Sequence, residues 1–247
     1  MEVLIGTSGW AYPHWRGRFY PDDLPPSQWL GFYAQTFSTV EINRSFHRLP
    51  SADNFAAWRQ QTSPGFVFSM KAGRFVTHMK KLSAPADTLP PLLAAAQALQ
   101  DRAGPILFQL PPHWHVDVAR LRTFLDALPH DRTYAFELRD PSWHIPPVLD
   151  LLAAHHAALC VFDLGGRQSP RVVTADFAYV RLHGPGAPYC GEYAAAGLEP
   201  WAQWLSSLAL RRAYVYFDND EAAGAVRDAL VLRDMLAGRG DRAPRIA

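Results

Sequence analysis

Apolar residues along this chain gather into eight short runs separated by stretches with a helical period. The runs are Val3–Ser8, Thr39–Asn43, Phe66–Lys71, Pro105–Leu110, Thr133–Leu138, Ala158–Leu164, Phe177–His183 and Ala213–Asp218. Most are nearly continuous in Val, Ile, Leu, Phe and Tyr, the pattern of strands buried on both faces of a parallel sheet. Ser27 is placed to cap a helix reaching Phe37, and Ser51 to cap the next. Pro90–Gln100, Asp117–Leu128, Pro147–His156, Glu199–Leu208 and Glu221–Leu236 read as five more amphipathic helices. Trp58, Trp201 and Trp204 fall on such helices, where packing accounts for them.

Strand and helix alternate in units of roughly thirty residues, which predicts an α/β fold of the irregular TIM-type (β/α)8 kind. One unit is short. The twelve residues Gly165–Asp176 carry Gly165, Gly166 and Pro170, so the helix between strands six and seven is expected to be missing. The alternative, an open doubly wound sheet, would leave strands one and eight unpaired. No linker divides residues 1–247, which read as one domain with a frayed tail over 237–247. The segment Trp10–Pro26 is long and aromatic, as lids over barrel mouths often are.

Composition narrows the function. The chain has 247 residues, 49% of them apolar, and a formal net charge of +1. That balance gives no long-range attraction to nucleic acid or anionic membrane. The start MEVLIGTSGW lacks a signal peptide's basic and apolar regions, and no run approaches a membrane span, so a cytoplasmic protein without a membrane partner is expected. Cys160 and Cys190 lack metal-type spacing, and Cys160 lies in the apolar run ALCVF.

The chemistry sits at the strand ends. Strand one finishes in Ser8, two in Glu41 and Asn43, three in Lys71, four in Gln109, five in Glu137 and Arg139, six in Asp163, seven in Arg181 and His183, and eight in Asp218, Asn219 and Asp220. In a parallel barrel these ends share one face. Glu41 and Asn43, Glu137 and Arg139, and Arg181 and His183 are each two apart, so each pair projects to one side. The deeper member is expected to pair within the ring and the shallower one to meet ligand.

Seven collinear blocks carry a resemblance: IGTSGW at Ile5–Trp10, VEIN with SF at Val40–Phe46, FSMKAGRFVTH at Phe68–His78, LFQLPP at Leu107–Pro112, FELRDPSW at Phe136–Trp143, YVRLHG at Tyr179–Gly184 and YVYFDND at Tyr214–Asp220. Together they resemble domain-of-unknown-function family 72, the YecE-like family. The resemblance implies an irregular TIM-type barrel and implies no particular reaction. Gly73 and the segment FDNDEAAGAV depart from the family pattern, so contacts after strand eight transfer least.

Three chemistries follow from the ring. Glu41, Glu137, Asp163, His183 and Asp218 offer ligands to a divalent metal, although no local metal motif is present and Lys71, Arg139 and Arg181 compete for the same carboxylates. Lys71, Arg139 and Arg181, with Arg44 and Arg74 nearby, point more strongly to an anion, phosphate above all. Glu41 and Glu137 form an acid–base pair if their surroundings split their pKa values. Lys71 forms a Schiff base if desolvated, against the reading that it is a structural, charged lysine. The expectation is therefore an enzyme for a phosphorylated or otherwise anionic sugar-like ligand, acting by phosphoester hydrolysis or isomerisation. Glu41, Glu137, Asp163 and Lys71 would act chemically; Asn43, Gln109, Arg139, Arg181, His183, Asn219 and Trp10 would hold the ligand. The rivals are a non-catalytic metabolite-binding protein and an endonuclease-IV-like nucleic-acid-binding repair factor.

Overall fold

A computed structural model describes residues 1–240. Eight parallel strands form the barrel: β1 (Glu2–Thr7), β2 (Thr39–Ile42), β3 (Val67–Lys71), β4 (Ala103–Leu110), β5 (Tyr134–Leu138), β6 (Ala158–Leu164), β8 (Phe177–Leu182) and β9 (Arg212–Phe217). The two-residue β7 (Arg167–Gln168) folds back on β6 as an antiparallel hairpin where the sixth helix would stand. Twelve residues containing two glycines at positive φ, Gly165 and Gly166, turn that hairpin and cannot also hold a helix. Strand β1 pairs with β9 in register from Glu2↔Arg212 to Thr7↔Phe217, which excludes the open sheet.

The remaining seam lies between β1 and β2. Among the described residues the backbones of those strands pair only at the bridge Ser8↔Glu41, with the bond from Gly9 N to Glu41 O at 2.8 Å. Below it the Tyr33 hydroxyl replaces the ladder, accepting from Thr7 N at 2.9 Å and donating to Thr39 O at 3.1 Å. Gly6 makes room for this: a Cβ there would overlap the Thr39 carbonyl and stand 2.9 Å from the Tyr33 hydroxyl.

Among the described residues seven α-helices pack outside: α1 (Trp29–Thr36), α2 (Ala52–Gln60), α3 (Pro85–Gln97), α4 (Val118–Asp126), α5 (Pro146–Ala154), α6 (Ala194–Ser207) and α7 (Gly224–Gly240). Ser51 caps α2 in a reciprocal box with Asn54, and Asp117 caps α4 by accepting from Arg120 N at 3.0 Å. Several expected boundaries move. Ser27 sits in a short 3-10 turn, Pro26–Gln28, and α1 starts after it. Helix α3 starts at Pro85, with Pro90 and Pro91 inside it on an exposed face, where their missing amide bonds face solvent. Helix α6 begins at Ala194, its first amide donating to Asp228. Helix α7 continues through residues 237–240, the start of the expected tail; its remainder, residues 241–247, lies outside the described residues. No helix among the described residues is long and apolar enough to cross a membrane.

The barrel interior is layered. At the strand starts Leu4, Leu107, Ala135, Ala158, Phe177 and Tyr214 form an apolar plug. Above it the Tyr216 hydroxyl lies 2.7 Å from both Thr39 Oγ1 and Ser69 Oγ. Apolar packing thus ends in hydroxyls, and the hydroxyls give way to charge at the strand ends.

Candidate functional site

Arg181 is the hub of that charged layer and is fully buried. Its Nη1 donates to Glu137 Oε2 at 2.7 Å; its Nη2 donates to Glu41 Oε1 at 2.7 Å and to Asp218 Oδ2 and Ser8 Oγ at 3.1 Å. Glu41 also accepts from Ser8 Oγ and from the Tyr179 hydroxyl, both at 2.6 Å. Glu137 accepts from Arg139 Nε at 2.6 Å, and His183 Nδ1 stands 2.9 Å from Asp218 Oδ2. Buried charges persist only when paired this fully. Burial alone would raise the Glu137 carboxyl, but Arg139 and Arg181 outweigh it and hold it well below the ordinary carboxylate value. Asp218 shows the same contest, burial against Arg181 and His183, and ends lowered.

The deeper residues Glu41, Glu137 and Arg181 are thus bonded within this layer, Arg181 Nε alone of their side-chain polar atoms having no partner among the described residues. Asn43 and Lys71 reach the open space above them, a cleft of about 890 Å³ at the strand C-termini. Trp10, Tyr12, Phe46, Trp58 and Tyr189 supply its aromatic surfaces, His47 an imidazole, and Arg44, Asp218 and Asp220 its remaining charge. Trp10 packs edge-on against Trp58 with ring centroids 5.0 Å apart. Trp58 is thus part of the cleft wall and not only helix packing, a correction to its expected place. Trp201 is buried as expected.

Lys71 is the unusual member. It is 7% exposed, its Nζ lies 4.4 Å from the centre of the Phe46 ring, and among the described residues its amine makes no hydrogen bond or ion pair. Desolvation, then the like charge of Arg181, lowers its pKa to about 8 against the pull of Glu137, Asp218 and Glu41. Nearby, burial and the charges of Lys71, Arg74 and Arg139 push His78 down to about 4. Arg139 donates through Nη1 to the Tyr189 hydroxyl at 3.1 Å, while its buried Nη2 has no partner among the described residues. Burial and the adjacent Asp218 raise Asp220, which takes the Trp15 Nε1 bond on its carbonyl at 3.0 Å.

Three expected site residues stand apart. Asp163 shares the outer side of β6 with Leu159 and Val161, opposite Cys160 in the barrel interior. It accepts from Gly166 N at 2.9 Å and Gln168 Nε2 at 3.0 Å, so it shapes the β6–β7 hairpin. Asn219 donates to Gly191 O at 2.7 Å and Asp228 Oδ2 at 2.8 Å, tying the loop after β8 to α7. Gln109 donates to Leu110 O at 2.8 Å and does not line the cleft. The segment Trp10–Pro26 divides its duties: Trp15 and Tyr20 are buried anchors, and Trp10 and Tyr12 face the cleft.

Among the described residues no group of three or more His, Cys, Asp and Glu side chains is arranged to hold a metal ion. Of the carboxylates that the strand ends offer to a metal, Glu41, Glu137 and Asp218 are turned onto Arg181 and Asp163 onto the β6–β7 hairpin. Tyr12, Phe46, Trp58 and Tyr189 are cleft residues that the strand ends do not reveal, whereas Asp220 closes the eighth run. Tyr12, Phe46 and Tyr189 sit in irregular segments between the regular helices and strands, and Trp58 carries a helical period that reads equally as packing.

These features define a TIM-type barrel whose strand ends converge on a buried ion network beneath an open, aromatic-lined cleft. The chain belongs to the family described as "Protein of unknown function DUF72", whose model matches residues 4–246. It is 29% identical to the UPF0759 protein YecE of Escherichia coli K12 over 142 residues, which is 57% of this chain but only half of that one. It is 24% identical to the UPF0759 protein YunF of Bacillus subtilis, over 95% of this chain and 94% of that one. Among solved structures, a DUF72 family protein from Thermotoga maritima superposes with a TM-score of 0.81 at 26% identity, over 96% of this chain and 100% of the other. One from Enterococcus faecalis gives 0.76 at 18% identity over 95% of each chain, a likeness of fold.

Proposed function

We propose that the protein is an enzyme that takes a small anionic, sugar-sized ligand into the cleft at the strand C-termini and moves protons on it. The observation that carries this reading is Lys71, a buried amine facing the cleft that makes no hydrogen bond or ion pair among the described residues. The cations around His78 and the unpaired Arg139 Nη2 give the same corner a positive field suited to phosphate or carboxylate. The walls Trp10, Trp58 and Phe46 suit the apolar face of a sugar ring. Lys71 is lowered and Asp220 raised, so one cleft holds two groups whose pKa values are driven toward each other, the condition for base and acid.

Of the two reaction classes, isomerisation fits better than metal-assisted phosphoester hydrolysis. Glu41, Glu137 and Asp218 hold Arg181 and leave few oxygens for an ion. In this reading Glu41, Glu137, Arg181 and, behind Tyr189, Arg139 set the field of the site, and Asn43, Lys71 and Trp10 meet the ligand.

Thermal unfolding with inorganic phosphate and ribose 5-phosphate tests the reading, with ribose as the uncharged control. A ligand at a hundred times its Kd adds about 2.7 kcal/mol. The two phosphates are expected to raise Tm, and Arg44→Ala and Lys71→Met to reduce the rise. No rise with either phosphate contradicts the anionic-ligand reading.

A further inference from the structure

We infer that Lys71 is an amine nucleophile that forms a protonated imine with a small aldehyde or ketone carrying a phosphate or carboxylate, an inference that rests on the cleft being a ligand site. Composition makes the residue type meaningful. Of the chain's 24 lysines and arginines only three are lysine: Lys71, Lys80 and Lys81. Lys80 and Lys81 are exposed. The remaining cations are arginine, including Arg139 and Arg181, which form the ion pairs of the buried layer. A cation needed only for charge balance there would be served by arginine, which stays protonated and pairs through its planar fork. Lysine can give up its proton and attack.

The surroundings favour that attack. Salt-bridged carboxylates would keep the amine charged, yet Glu41, Glu137 and Asp218 are all engaged by Arg181 and none lies within ion-pair distance of Nζ. One face of the amine meets the Phe46 ring and another opens to the cleft. A pKa near 8 leaves about a tenth of the amine neutral at pH 7. Asp220 and Tyr189 line the same cleft.

The step balances without an outside reagent. Lys71 first releases a proton to solvent, and the nitrogen lone pair bonds to the carbonyl carbon as the π electrons move to oxygen. A proton passes from nitrogen to that oxygen, giving a carbinolamine. A second proton, delivered by Asp220 or solvent, lets the hydroxyl leave as water while the nitrogen lone pair closes the C=N bond. The net change is ammonium plus carbonyl to protonated imine plus water. The imine withdraws electrons from its neighbouring carbon, which is what an isomerase acting on a carbonyl sugar requires.

The test is reductive trapping of the full chain with sodium cyanoborohydride at pH 7.5, using pyruvate and dihydroxyacetone phosphate as probes. Intact mass and peptide mapping then locate the adduct. The inference expects one adduct on Lys71, formed at least ten times faster than on Lys80 or Lys81 and slowed by inorganic phosphate. Lys71→Arg removes the adduct but keeps the phosphate-induced rise in Tm, because the cation remains. Adducts confined to Lys80, Lys81 and the N-terminus overturn the inference. If phosphate still raises Tm in that case, the anion-site reading stands alone; if it does not, both fall.

Discussion

Replacing Lys71 with methionine removes one charge from the cleft floor while keeping a side chain of nearly the same length. The native amine titrates at about 8, against 10.5 when free of the fold. At about 1.36 kcal/mol per pH unit, charging it in the folded chain costs about 3 kcal/mol more than in the unfolded chain. The Phe46 ring returns about 0.5–1 kcal/mol through its contact with the ammonium. Lys71→Met is therefore expected to stabilise the protein by about 2 kcal/mol at pH 7, or about 4–8 °C in Tm for a chain of this size.

The pH dependence carries the stronger test. Between about 8 and 10.5 the unfolded state holds the Lys71 proton and the folded state does not, so native stability from this group rises with pH across that window. The advantage of the variant should shrink over the same interval and nearly vanish above it. Urea unfolding of both proteins at pH 7 and pH 10 measures this. A variant less stable than the native chain by more than 1 kcal/mol at pH 7, with a gap that ignores pH, would show Lys71 to be a charge-balancing cation and refute the reasoning.

Four further outcomes follow from the same geometry. Arg181→Met leaves Glu41, Glu137 and Asp218 facing one another in the barrel, and urea unfolding at pH 7 should show a loss of about 3–5 kcal/mol; a loss under 1 kcal/mol would mean that the network does not hold the barrel top. Gly6→Ala should cost about 1–3 kcal/mol by forcing apart the β1–β2 seam, and a neutral result would contradict the Tyr33 bridge. Glu137 is held below its ordinary 4.5, so its contribution is present above that pH and is lost as pH falls through the folded value. Glu137→Gln should accordingly flatten the acid limb of the stability profile, and an unchanged slope would refute the pairing. Asp163→Ala should cost about 1–3 kcal/mol through its two hairpin bonds and leave the phosphate-induced Tm rise intact, while loss of that rise would return Asp163 to the site.

Much of the barrel was readable because its strands are buried on both faces, so Val3–Ser8 or Ala158–Leu164 stand out as apolar runs without further context. The strand ends located the charged layer for the same reason: a carboxylate such as Glu137 among Phe136 and Leu138 has no cheap explanation but a partner. Asp163 ends its run as the other ring residues do, but parity along β6 from the interior Cys160 sets it on the opposite side, which position at a strand end does not encode. Helix starts failed where proline has two meanings. Pro85 begins α3 and Pro90 rides on its exposed face, and sequence spacing alone does not separate the two cases. The cleft walls were the least legible. Tyr189 holds a positive φ of 68° in a loop and reaches Arg139 fifty residues away, a contact made by tertiary closure and written in no local pattern.

The account turns on an uncommonly acidic, ligand-facing amine at Lys71. Selective carbon-13 labelling of lysine gives three side-chain resonances in this chain, one of which disappears in Lys71→Met. Following that resonance through a pH titration, with and without inorganic phosphate, measures its midpoint and its response to an anion together. The account predicts a midpoint near 8 that moves upward when phosphate binds beside it. A midpoint at or above 10.5, indifferent to phosphate, would contradict it.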